Sequence, residues 1–89
     1  MKLVKIIWKD IIRPEETWLF KEDVLSLRPA LITTVGWLVD ENESSLIIAS
    51  SLGDDQQFGD INCIPTSVVV LIETLRGEIY EDQVDIPIV

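Results

Sequence analysis

The chain has 89 residues and a mass of 10.1 kDa, enough for one domain that hides only roughly 60 to 65% of the surface of its unfolded form. Apolar residues make up 47% and charged residues 26%, a globular composition unlike that of disordered chains. A net charge of −9, no histidine and one cysteine, Cys63, disfavour nonspecific binding to phosphate backbones or anionic membranes. They also exclude histidine acid–base chemistry, the usual zinc sites and an intrachain disulfide.

Charge is unevenly placed. Residues 1–13 hold Lys2, Lys5, Lys9 and Arg13 against Asp10, a balance of +3, whereas from Ala30 onward Arg76 faces eleven acids, a balance of −10. The basic start and the long acidic remainder are the features that bear on partners. The opening ten residues do not read as a signal peptide, because Lys5 interrupts the apolar run and no small-residue cleavage site follows. Val68 to Ile72 is the longest unbroken apolar run, far below the roughly 20 residues of a spanning helix. The expectation is a cytoplasmic protein with no membrane partner.

Valine, isoleucine and threonine contribute 27 residues and alanine two, and branching at Cβ favours the pleated sheet. Residues 2–9 read as the first strand, with Val4, Ile6 and Trp8 on one face and Lys5, Ile7 and Lys9 on the other. Pro14 breaks the pattern. For residues 17–29 two readings stand: a helix with Phe20, Val24 and Leu27 on one face, or a short strand Thr17-Trp18-Leu19 followed by one or two helical turns, which is the preferred one.

Residues 30–39 and 45–52 form the strongest strand pair, a hairpin across Asp40-Glu41-Asn42-Glu43-Ser44. Apolar residues on both alternation phases imply contact on both faces. Gly36 permits a bulge or sharp bend. After the polar loop 52–59 come a fourth strand over residues 60–64, a corner at Pro65-Thr66-Ser67, and a fifth strand over residues 68–75. Five short strands, one of them bent, predict a mainly β fold: a small closed five-stranded sheet, or barrel, with one short helix, over residues 1–75. Residues 76–89 form an acidic tail, either an edge strand or mobile.

The segments Thr34-Val35-Gly36-Trp37-Leu38-Val39-Asp40-Glu41, Leu46-Ile47-Ile48-Ala49-Ser50-Ser51-Leu52 and Ile64-Pro65, leading into Val69, Ile72 and Leu75, resemble those of a group of small, functionally uncharacterised proteins of bacteriophages and prophages. The resemblance implies an SH3-like or Sm-like architecture and a phage or bacterial-host setting, and carries no catalytic residue. Where those relatives often have lysine after the isoleucine-proline corner, this chain has Thr66, which weakens a nucleic-acid reading.

Candidate sites are sparse. Asp40, Asn42 and Ser44 imitate the first ligands of a calcium loop, but Ser45 stands where glycine is needed and Ser51 where a bidentate glutamate is needed. Residues 54–60 place Gly59 correctly, yet Phe58 and Pro65 fall at ligand positions. Cys63 has no histidine to activate it and reads as a small buried hydrophobe. Of the three tryptophans, two are expected in the core and one outside. Glu15 and Glu16, adjacent in sequence, do not face each other for acid–base work.

No enzyme, metal or cofactor is expected. The leading reading is a non-enzymatic interaction module that binds a protein partner, or itself, through the acidic loops carrying Asp40, Glu41, Asp54 and Asp55, or through a strand edge. The alternatives are an Sm-like nucleic-acid binder using the basic first strand, or an acidic mimic of nucleic acid that blocks a host DNA-binding protein.

Overall fold

A computed structural model describes residues 1–77; the acidic tail lies almost wholly outside the described residues. Five strands, a short helix and one 3-10 turn follow in the order β1 (Leu3–Asp10), α1 (Lys21–Leu25), β2 (Ala30–Glu41), β3 (Ser45–Leu52), β4 (Phe58–Pro65), η1 (Thr66–Val68) and β5 (Val69–Thr74). They form one antiparallel sheet in the spatial order β4-β3-β2-β1-β5. Four strands therefore meander in chain order, and the fifth returns to the outer side of the first. Among the described residues no ladder joins β4 to β5, so the sheet has two edges.

Register explains the core. Directly opposed residues of an antiparallel pair share a face, and Val4, Ile6 and Trp8 oppose Gly36, Thr34 and Ile32 of β2. Leu38 opposes Ile48, and Leu46 opposes Ile64. That face holds the buried cluster Val4, Ile6, Leu46, Ile48 and Ile64, with Trp8, Leu38, Val68 and Val69 packed around it. The indole Nε1 of Trp8 donates to the Thr34 hydroxyl at 3.0 Å, which satisfies the polar group of a half-buried ring.

Gly36 sits where β2 and β3 approach each other closely. A Cβ built there would lie 2.6 Å from Ile48 Cγ2 and 2.7 Å from the Ala49 carbonyl oxygen. The expected irregularity of this strand is split in two: close approach at Gly36, and a register shift between Leu38 and Asp40 that leaves Val39 as the extra residue.

Two expectations are corrected. Thr17-Trp18-Leu19 is not a strand: no neighbour pairs with it, and Trp18 stands 90% exposed in the connection between β1 and β2. The helical turn that follows is present as α1, with none of its residues buried. Cys63 is exposed rather than buried. Ile64 takes the core side of β4, and Cys63 opposes Ile47 on the other face, where no second layer of the described residues covers the edge strand. Trp8 and Trp37 are partly buried, which leaves Trp18 as the outside ring.

Candidate functional site

The four acidic residues expected to meet a partner do not converge. The β2–β3 turn and the loop of residues 53–57 lie at opposite ends of β3, about 25 Å apart for an eight-residue strand. Within the first turn the bulge at Val39 separates two neighbours. Asp40 opposes Ile47 on the outer face, and Glu41 opposes Leu46 on the core face. Asp55 is occupied by its own loop, its carboxylate accepting from the Gln57 N–H at 3.1 Å, while the Gly53 N–H donates to the Gln57 carbonyl at 2.8 Å. Gln56 completes that turn with a φ of 71°.

Glu41 instead borders a groove of about 510 Å³ lined by Glu41, Asn42, Glu43, Leu46, Thr66, Val69 and Ile72. Its apolar side is supplied by Leu46, Val69 and Ile72, and its carboxylates by Glu41 and Glu43. Local hydrogen bonds shape the rim. Asn42 Oδ1 accepts from the Ser44 and Ser45 N–H groups at 2.8 and 3.0 Å, an Asx-type turn that fixes the backbone between the two glutamates. The corner after β4 is tied to the same turn, because the Thr66 N–H donates to the Ser44 carbonyl at 3.0 Å and the Thr66 hydroxyl to the Glu43 carbonyl at 2.7 Å. Here Thr66 is a structural tie between two connections.

Glu43 and Thr66 are the site residues that sequence reasoning missed. No sequence signal marks them, because the β3–β4 register that brings the turn to the corner is a non-local pairing.

Beside the groove runs the outer edge of β5. Leu75 N–H donates to the Leu3 carbonyl at 2.8 Å. By alternation of an antiparallel ladder, Glu73 and Leu71 then also bond toward β1, and the backbone groups of Ile72 and Thr74 point away from it. Among the described residues nothing pairs with that edge. On the opposite edge, β4, Asp60 takes a φ of 51°, in the left-handed region.

The basic first strand is partly neutralised. Lys5 Nζ lies 3.0 Å from Glu73 Oε2, across the β1–β5 pair. Among the described residues no group of three or more cysteine, aspartate or glutamate side chains is arranged to hold a metal ion, and no helix is long and apolar enough to cross a membrane. Comparison with family models, with curated proteins and with solved structures gives no match for this chain.

Proposed function

We propose that the chain is a non-enzymatic protein-interaction module of phage type, built on a small SH3-like or Sm-like β fold, whose working surface is the carboxylate-rimmed groove and the neighbouring strand edge. The observation that carries this reading is the pairing of an apolar floor (Val69 and Ile72, over the buried Leu46) with a rim of two carboxylates (Glu41, Glu43) beside an edge whose outward backbone groups have no partner among the described residues. Apolar floors supply affinity, charged rims supply selectivity and steering, and open edges accept added strands. The barrel assignment draws support from the chain-order meander, the return of β5 to β1, the 3-10 corner between β4 and β5, and the pinch at Gly36.

The test is capture from a bacterial lysate at low and high salt. The native chain is compared with one variant carrying Asp40→Asn, Glu41→Gln, Asp54→Asn and Asp55→Asn, and another carrying Lys5→Gln and Lys9→Gln. The expected result is a protein partner that is lost with the acidic changes and at high salt, and kept with the lysine changes. Loss with the lysine changes alone, or recovery of nucleic acid in place of protein, would establish the basic strand as the working face.

A further inference from the structure

We infer that the groove and the β5 edge form one site for an extended, basic segment of a partner protein, which adds as a strand to β5 and directs a lysine or arginine side chain between Glu41 and Glu43. This inference deepens the interaction-module reading and rests on it.

Ile72 lies on the core face of β5, opposite Ile6, and it also lines the groove. Its backbone N–H and C=O point to the open edge. A strand laid along that edge sets its residue opposite Ile72 on the same face as Ile72. The side chain at that position therefore enters the groove. It meets Val69 and Ile72 along its stem and the two glutamates at its head.

A long aliphatic stem ending in a cation matches this order of surfaces, as lysine and arginine do. Arginine adds a planar fork able to engage two carboxylates. An acidic or purely apolar residue leaves the glutamates unpaired. Charge also argues against the chain's own end as the occupant: residues 78–89 carry Glu78, Glu81, Asp82 and Asp85 and no base. Like charge would oppose their approach to this rim.

The test uses two blocked octapeptides, one alternating arginine and valine and the other alternating glutamate and valine, titrated into the ¹⁵N-labelled full chain. The arginine peptide should shift the amides of Ile72, Thr74, Glu41 and Thr66, and the glutamate peptide should shift none of them. Glu41→Gln with Glu43→Gln should weaken binding about tenfold, the scale of a lost charge pair, whereas Asp54→Asn with Asp55→Asn should leave it within about twofold.

Thr74→Pro separates strand addition from simple charge attraction. It removes an N–H that points away from β1, so the β1–β5 ladder is kept and binding should fall. An intact amide spectrum of the free variant checks its fold. Absence of binding by the arginine peptide, shifts centred on residues 54–57, or unchanged affinity in the Glu41/Glu43 variant would each overturn the assignment. A lysate partner retained by the Glu41/Glu43 variant and lost with Asp54→Asn and Asp55→Asn would overturn this site while leaving the interaction module standing. Failure to capture any partner, with the arginine peptide still seated in the groove, would remove the module reading and leave the site.

Discussion

Thr66 and Glu43, 23 residues apart in the chain, are joined by a hydrogen bond of 2.7 Å from the threonine hydroxyl to the glutamate carbonyl. The bond fastens the corner after β4 to the turn before β3, and both residues line the groove. Thr66→Val keeps the shape and removes the donor. It should lower stability by about 1 kcal/mol, read as a shift of the denaturant midpoint with an unchanged slope, and should broaden the amide signals of residues 42–45. A variant with native midpoint and sharp signals would mean that the corner stands without this bond.

Gly36→Ala tests the pinch of the sheet. With Ile48 Cγ2 and the Ala49 carbonyl oxygen within 2.7 Å of the new Cβ, one contact being backbone, β3 must move away from β2. The expected cost is about 1 to 3 kcal/mol, the usual range for overpacking, measured by thermal or denaturant unfolding. A native midpoint would show that β2 and β3 are not pressed together at this position.

The tryptophans should behave oppositely. Trp8→Phe keeps an aromatic ring on the core face but removes the donor to Thr34, at a cost of about 1 kcal/mol or somewhat more. Trp18→Ser removes a ring that is 90% exposed and should change stability by no more than about 0.5 kcal/mol. Matched denaturation curves check both. A large loss for Trp18→Ser would place that ring in a contact the described fold lacks.

Lys5→Gln should cost little, because the Lys5–Glu73 pair has side chains 35% and 52% exposed. Exposed pairs contribute about 0 to 1 kcal/mol and are screened by salt. The expected midpoint shift is small at low salt and smaller at high salt. A loss that persists at high salt would mean that the lysine stem, rather than its charge, supports the β1–β5 pair.

Much of the fold was legible because the strands combine β-branched residues, alternation and clear breakers. The strand of residues 45–52 was read with its actual bounds, whereas the bulge expected at Gly36 falls at Val39, and Gly36 is a place of close approach to β3. Four features were not legible, each for a physical reason. Thr17-Trp18-Leu19 has strand-like residue types, but a strand exists only with a neighbour to pair with, and pairing is not local. Cys63 reads as buried because a free cysteine within a strand behaves as a small hydrophobe, yet in this edge strand Ile64 alone is buried and Cys63 lies on the other face.

The acidic turn drew attention as a charge run. Which carboxylate faces the groove is decided by the bulge at Val39, which shifts the parity of Asp40 and Glu41. Glu43 and Thr66 are brought together across 23 residues by the path of β3 and β4, a relationship that composition and spacing do not encode.

The most direct measurement is amide hydrogen exchange along β5, taken on the free chain and again with the captured protein partner bound. Strand addition at this edge predicts that Ile72 and Thr74 exchange quickly in the free chain while Leu71 and Glu73 are protected by β1, and that Ile72 and Thr74 become protected on binding. Contradiction would come from Ile72 and Thr74 amides whose exchange is unchanged by the partner, with new protection at residues 54–57 or along residues 5–9 instead.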